Sequence, residues 1–130
     1  MKKKHWKLVI LSGILYFVCQ ICRTDLSACM VDLLPDLGIA KDAMGLAITA
    51  GYIAYAVGMS INSLLTDRTN PRLMICAAMF CCAATHLGIR LLPYLPVMIV
   101  LCCVNGYAQS AVWPSIVRLT ADNLPAEQQE

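Results

Sequence analysis

The sequence Ser63-Leu64-Leu65-Thr66-Asp67-Arg68-Thr69-Asn70-Pro71-Arg72 is a polar break inside a long apolar region. Residues 43–65 before it and residues 73–89 after it contain no charged side chain. An α-helix rises ~1.5 Å per residue, so about 20 apolar residues cross a ~30 Å hydrocarbon core. The break therefore predicts a tight turn at a membrane face between two spanning helices. Asn70-Pro71 is expected to end one helix and to start the next.

The composition indicates that lipid surrounds most of the chain. Its 130 residues are 59% hydrophobic and 14% charged, with a mean hydropathy of +0.67. A soluble domain is about half apolar and a quarter charged. Nearly all of the eight cysteines lie in apolar runs, where a thiol behaves as a small hydrophobe. We therefore predict no disulfide scaffold.

No pattern in the sequence indicates catalysis or a cofactor. Cys19-x-x-Cys22 has the spacing of metal ligands, but no second pair with histidines completes a zinc site. A glycine-rich phosphate loop, a metalloprotease helix and a plausible nucleophilic triad are all absent from the sequence. The basic residues form no aromatic-interleaved stripe for nucleic acid. We expect a protein that is not an enzyme and that has no metal, cofactor or nucleic-acid partner.

Four apolar stretches predict an all-α integral membrane protein with spans at about 8–34, 43–65, 73–92 and 97–117. The polar stretch 32–42 is expected to be an outer loop. Most basic residues fall on the side of the termini and the central turn: Lys2, Lys3, Lys4, Lys7, Arg68, Arg72 and Arg118. Because Lys and Arg favour the cytoplasmic face, both termini are predicted inside, in the plasma membrane. Alternatively, the basic N-terminus and first apolar stretch could be a lipoprotein signal with its processing site at Cys29. Arg23 and Asp25, just before that site, disfavour this alternative.

The first predicted span contains a charge far from its start. Arg23 lies about 16 residues in, where an ion costs several kcal/mol unless it meets a polar cavity or a partner. Tyr16, Gln20 and Ser27 share its helical face, which predicts a polar, substrate-binding surface. Asp25 is two positions away and projects elsewhere, so it is a poor partner. A structural ion pair, or an arginine reaching the outer surface, is the alternative to an anion site.

The other spans carry packing signals. Small residues of the second span, including Gly51 and Gly58, recur at spacings of three and four, which lets another helix approach closely. Tyr55 is expected to be a packing residue. His86 near the end of the third span could relay protons, although packing is the commoner role for such a histidine. Pro114 is expected to kink the end of the fourth span.

Two motifs resemble one family of transporters. The turn 63–72 is similar to the major facilitator pattern G-x-L-x-D-R-x-G-R followed by Lys or Arg, with matches at Leu65, Asp67, Arg68 and Arg72. Both glycines and one basic residue of that pattern are replaced here, by Ser63, Asn70 and Pro71. The resulting D-R-x-N-P-R resembles the organophosphate:phosphate antiporter branch. That branch includes glycerol-3-phosphate and hexose-phosphate transporters. The stretch 105–114 resembles its N-G-x-x-Q-x-x-x-W-P, through Asn105, Gly106, Gln109, Trp113 and Pro114.

The resemblance implies a function for particular residues. Arg23 falls where the branch carries an arginine that contacts substrate phosphate, and Gln109 is expected to join it at the substrate. Thr24 replaces the lysine that commonly follows that arginine, so the substrate could differ. Asp67, Arg68 and Arg72 would form a cytoplasmic latch that opens and closes during transport. Gly51, Gly58, Gly106 and Pro114 would shape the helix packing.

The resemblance also implies a mechanism and a size. It predicts secondary transport of an organic anion, such as a phosphorylated sugar or glycerol compound, by alternating access, as antiport with phosphate or proton symport. Such transporters have twelve spans in two related halves. We therefore expect the chain to be an N-terminal fragment of a half-bundle whose partner is the missing C-terminal half. A transporter-like membrane sensor of sugar phosphate is one alternative. The other is a small four-helix exporter that uses Asp25.

Overall fold

The structure is a computed structural model that describes residues 3–123, without the side chains of residues 3–5, 26, 30, 31, 33 and 34. Every regular element in this part is an α-helix: α1 (Lys3–Leu37), α2 (Lys41–Thr66), α3 (Pro71–Leu91), α4 (Leu95–Ser110) and α5 (Val112–Asn123). The predicted all-α fold is confirmed. The basic side chains of residues 2–4 and the polar stretch 124–130 lie outside the described part.

Four helical stretches are long and apolar enough to cross a membrane: Trp6–Cys29, Lys41–Thr66, Pro71–Leu91 and Leu95–Asn123. The shortest has 21 residues, or ~31 Å of helix. The four predicted spans are therefore confirmed in number and order. Large apolar side chains on the outside of these helices, such as Leu11, Phe17 and Phe80, are exposed. An exposed apolar surface of this extent is suited to lipid or to further helices.

The central turn joins α2 and α3 over residues 67–70. The Asn70 side chain accepts a hydrogen bond of 3.0 Å from the backbone N–H of Arg72, and Pro71 is the first residue of α3. Proline suits that position because its missing N–H would have no partner in the helix. The prediction that Asn70-Pro71 separates two helices is confirmed.

The predicted extent of the loop between the first two spans, residues 32–42, is wrong. Helix α1 continues to Leu37, and residues 38–40 alone connect it to α2. Pro35 lies in the last turn of α1, where it removes one backbone hydrogen bond close to the helix end. Gly38 follows with φ 61°, the left-handed conformation that commonly ends a helix at glycine. The polar residues of this stretch therefore extend the helix beyond its apolar part.

The fourth span is interrupted between Ser110 and Val112. Pro114 has no N–H to donate to the Ser110 carbonyl four residues earlier, so the regular helix breaks one turn before the proline. The Ala111 N–H instead bonds to the Ala108 carbonyl at 3.2 Å. Helix α5 then runs to Asn123, beyond the predicted end at residue 117.

Helices α2 and α4 approach closely through glycine. A Cβ atom added to Gly106 would overlap the backbone carbonyl oxygen of Gly51, and one added to Gly51 would lie 3.1 Å from the Cys102 carbonyl oxygen. A Cβ added to Gly58 would overlap the Ser110 hydroxyl. Small residues allow such backbone contact between membrane helices. Two apolar clusters form the buried core. One consists of Cys19, Ile75, Ala78, Ala111, Val112 and Ile116. The other consists of Met44, Ala47, Ile89, Met98 and Cys102.

Candidate functional site

Arg23 of α1 contacts two other helices. Its Nε donates a hydrogen bond of 3.2 Å to Oε1 of Gln109 on α4. Its guanidinium carbon lies 3.8 Å from the ring centroid of Tyr55 on α2. A guanidinium over an aromatic face is attracted by the electron-rich ring, most strongly where water is excluded. The Arg23 side chain is half-buried at the meeting point of α1, α2 and α4.

A chain of buried polar side chains fixes Gln109, which accepts the hydrogen bond from Arg23. Gln109 Nε2 donates to Asn105 Oδ1 at 3.4 Å. The Thr85 hydroxyl of α3 lies 3.3 Å from the same Asn105 oxygen. All three side chains are buried. Because the Gln109 amide nitrogen is held by Asn105, its oxygen is left to face Arg23.

A small cavity adjoins the guanidinium. Its volume is about 40 Å³, which is room for roughly three water molecules. Ten residues line it: Arg23, Ser27, Ile48, Gly51, Tyr52, Tyr55, Cys102, Asn105, Gly106 and Gln109. We call it the Arg23 cavity. Gly51 lies ten residues from the start of α2, so the cavity is ~15 Å along that helix and near its middle.

The charge of Arg23 has no counter-ion among residues 3–123. The single ion pair in that range joins Arg118 and Asp122, at 3.6 Å. Asp25, the nearest carboxylate in sequence, lines a different cavity and accepts a weak hydrogen bond from the Cys29 thiol. Gln109 occupies the Nε–H of Arg23, and the two Nη groups make no hydrogen bond within the described residues. Four N–H donors are therefore available to an anion in the Arg23 cavity.

The predicted substrate-binding residues are divided between two places. Arg23, Ser27 and Gln109 line the same cavity. Gln20 donates a hydrogen bond of 2.9 Å to the Tyr16 hydroxyl, and neither side chain lines that cavity. Tyr16 instead packs against Trp113, with ring centroids 5.0 Å apart.

The three residues of the predicted latch lie in or beside the exposed central turn. Asp67 is the C-terminal cap of α2, and the Arg68 backbone N–H bonds to the Leu65 carbonyl at 3.0 Å. Arg72 is the second residue of α3, and its backbone N–H donates to the Asn70 side chain. None of the three side chains forms an ion pair within residues 3–123.

Three contributors to these sites were not singled out from the sequence. Tyr55 was expected to pack only, yet its ring faces the Arg23 guanidinium. Asn105 belongs to the 105–114 motif, which predicts no contact for it, and it holds Gln109 through a hydrogen bond. Arg118 donates a hydrogen bond of 3.2 Å to the Thr69 carbonyl, tying α5 to the central turn. The spacing of Asn105 and Gln109, one helical turn apart, is the sequence signal for their hydrogen bond.

Comparison with known families assigns the chain. The model of the Major Facilitator Superfamily matches residues 10–130. The chain belongs to the major facilitator superfamily. Four apolar helices in a member of this family make it a membrane protein.

The names of curated relatives describe transporters of phosphorylated compounds. A probable hexose phosphate transport protein of Chlamydia trachomatis is 24% identical over 118 residues, which are 89% of this chain and 26% of the relative. The glycerol-3-phosphate transporter of Bacillus subtilis is 28% identical over 95 residues, which are 70% of this chain and 21% of the relative. The chain thus spans about a quarter of the length of these relatives. No solved structure matches it.

Proposed function

We propose that the chain is the N-terminal part of a secondary transporter for an organic anion, a phosphorylated sugar or glycerol compound, and that Arg23 binds the phosphate group. The observation that carries this proposal is a half-buried guanidinium at the middle of the helices with no counter-ion within residues 3–123. An uncompensated charge inside a membrane costs several kcal/mol, which an anionic ligand would offset. The names of the relatives favour phosphorylated substrates.

The geometry suits phosphate in particular. Arginine presents N–H groups in a planar fork that matches two oxygens of a phosphate group at once. The Nε–H is held by Gln109 and the guanidinium face by Tyr55, so the Nη edge is pre-oriented toward its ligand. A cavity of about 40 Å³ suits a headgroup rather than a whole sugar phosphate. The remainder of the substrate extends out of the cavity, toward the missing half of the transporter.

The proposed cycle needs two further parts. Alternating access requires this half-bundle to rock against the C-terminal half, with antiport of phosphate or symport of protons as the driving exchange. Asp67, Arg68 and Arg72 form the cytoplasmic latch, which pairs in one state and opens in the other. We place the central turn and both termini on the cytoplasmic side of the plasma membrane, because basic residues collect there.

Uptake by the full reading frame that encodes the chain tests this function. Proteoliposomes loaded with phosphate are supplied with radiolabelled glycerol 3-phosphate or glucose 6-phosphate. We expect Arg23→Lys to reduce uptake at least tenfold. Arg118→Lys, which also preserves the charge, is the control. Uptake unaffected by Arg23→Lys contradicts the role of Arg23. Ligand-dependent signalling without uptake identifies a sensor instead, and drug export by a dimer that depends on Asp25 identifies an exporter.

A further inference from the structure

Asn105 of α4 has a hydrogen-bond donor with no partner among the described residues. The side chain forms part of the wall of the Arg23 cavity, and the residue is only 9% exposed. Its Oδ1 lies 3.4 Å from Gln109 Nε2 and 3.3 Å from the Thr85 hydroxyl. Its Nδ2 makes no hydrogen bond to any other described residue. The N–H groups of the Asn105 amide are therefore free to bind a ligand.

The orientation of the Asn105 amide follows from Arg23. A guanidinium only donates hydrogen bonds, so the Gln109 atom that faces Arg23 Nε is the oxygen. The Gln109 nitrogen then faces Asn105, and because an amide nitrogen only donates, its partner there is the Asn105 oxygen. The other end of the Asn105 amide is therefore the nitrogen.

This nitrogen is open to the Arg23 cavity. Among the described residues, no fully buried side-chain nitrogen or oxygen lacks a hydrogen-bond partner. Nδ2 of Asn105 has no partner, so it retains accessible surface, and the cavity is the space that the side chain lines. An amide N–H in an apolar interior is costly without an acceptor, and an acceptor in the cavity would offset that cost.

The second buried asparagine shows that an unpaired amide nitrogen is particular to Asn105. Nδ2 of Asn62 donates to the Tyr107 carbonyl at 3.2 Å and to the Ser110 hydroxyl at 2.7 Å. Asn62 is 3% exposed and does not line the Arg23 cavity. Packing between α2 and α4 thus uses the amide nitrogen of Asn62, whereas the amide nitrogen of Asn105 is left to the cavity.

The two sets of donors in the cavity differ in what they can recognise. The planar fork of Arg23 pairs with two oxygens of an oxyanion. A carboxylate has two oxygens, so the fork alone satisfies it. A phosphate monoester or inorganic phosphate is tetrahedral and has at least one further free oxygen, which needs another donor. Because Asn105 is neutral, its N–H adds a hydrogen bond without adding a charge.

We propose that Asn105 is a specificity-determining residue of the Arg23 cavity: its Nδ2 donates to a third oxygen of the bound anion and so favours a tetrahedral phosphate group over a planar carboxylate. The inference rests on the proposed function, since it needs an anion bound at Arg23. Asn105 also orients Gln109 and through it Arg23. That indirect effect acts on every anion alike, so the preference between two anions isolates the direct contact.

Binding of radiolabelled phosphate to the chain in nanodiscs, and its displacement by acetate, measures this preference. The affinity for phosphate divided by that for acetate should fall about tenfold in Asn105→Leu, the effect of one hydrogen bond to a charged group. Asn62→Leu makes the same change at a buried asparagine outside the cavity, and its ratio should stay within about twofold of wild type. An unchanged ratio in Asn105→Leu overturns the proposal.

Solid-state NMR of the wild-type chain tests the contact without a variant that must bind. The chain is labelled with ¹⁵N in its four asparagine side chains and frozen with phosphate in maltoside micelles, which contain no phosphorus. The spectrum of Asn105→Leu lacks one signal and so identifies Asn105. We expect phosphorus to dephase that signal from a distance of about 4 Å, as a hydrogen bond requires. No dephasing of the Asn105 signal in the presence of bound phosphate overturns the proposal.

Arg23→Lys separates this inference from the proposed function. If Arg23→Lys weakens phosphate binding but Asn105→Leu leaves the phosphate-to-acetate ratio unchanged, the function holds and the role of Asn105 is wrong. If the wild-type chain binds no phosphate, or Arg23→Lys binds it equally well, the proposed function fails and the inference fails with it.

Discussion

The backbones of α2 and α4 come closest where Gly106 contacts Gly51, so a substitution there tests how these two helices pack. A methyl group added at position 106 would overlap the Gly51 carbonyl oxygen and lie 3.0 Å from the Gly51 carbonyl carbon and 3.3 Å from the Tyr55 nitrogen. All three atoms belong to the backbone of α2, so no side chain can swing away. We predict that Gly106→Ala forces α4 away from α2.

The expected cost of Gly106→Ala is the cost of overpacking, about 1–3 kcal/mol. Alanine also gains about 1 kcal/mol of helix propensity over glycine, which partly masks that cost. Gly45→Ala provides the matched control, because a Cβ at this α2 position meets no atom within 4 Å. The difference in unfolding free energy between the two variants isolates the overpacking. Gly51→Ala should fall between them, since its new Cβ would lie 3.1 Å from a single carbonyl oxygen.

The assay is equilibrium unfolding in mixed micelles with increasing SDS, followed by circular dichroism. Gly106→Ala should unfold at lower SDS than Gly45→Ala, by a free-energy difference of about 1–3 kcal/mol. Equal unfolding free energies for the two variants, within about 0.5 kcal/mol, would refute the α2–α4 geometry, because that geometry leaves the added methyl group no space.

Two further predictions concern the central turn and use the same unfolding assay. Asn70→Ala removes the side-chain cap of α3 and should cost about 1 kcal/mol, whereas Asn70→Asp keeps an acceptor and should cost much less; equal losses would contradict the capping role. Arg118→Ala removes the hydrogen bond to the Thr69 carbonyl and should destabilise the chain by about 1.5 kcal/mol. Asp122→Asn breaks only the exposed ion pair with Arg118 and should cost about 0.5 kcal/mol or less. Equal losses of stability from Arg118→Ala and Asp122→Asn would show that the ion pair matters more than the hydrogen bond to Thr69.

The spans were predictable from the sequence because hydropathy and charge are local properties. Charge-free runs on either side of residues 63–72 correspond to α2 and α3, and Asn70-Pro71 marks the start of α3. The outer connection was not predictable in the same way. Polarity over residues 32–37 indicates contact with water, and an exposed helix end provides that contact as well as a loop does. Helix α1 runs to Leu37 and ends before Gly38.

The candidate site was predictable in part. A buried charge is visible in a sequence, so Arg23 could be found, and the helical period placed Ser27 on its face. The rotation of α2 and α4 relative to α1 is set by packing between helices, which no spacing within one helix encodes. For that reason the sequence predicts only packing for Tyr55 and no contact for Asn105. The helical face alone predicts that Tyr16 and Gln20 belong to the site, but both lie outside the Arg23 cavity.

Binding of radiolabelled phosphate to the chain in nanodiscs is the most direct test of the central claim, that Arg23 holds an anion. Wild type should bind phosphate saturably, with one ion per chain. Arg23→Lys keeps the charge but loses the fork of donors, so its affinity should fall about 10- to 100-fold, the effect of one or more charge-assisted hydrogen bonds. Arg118→Lys should remain within about twofold of wild type. Equal phosphate affinity of wild type and Arg23→Lys would contradict the claim.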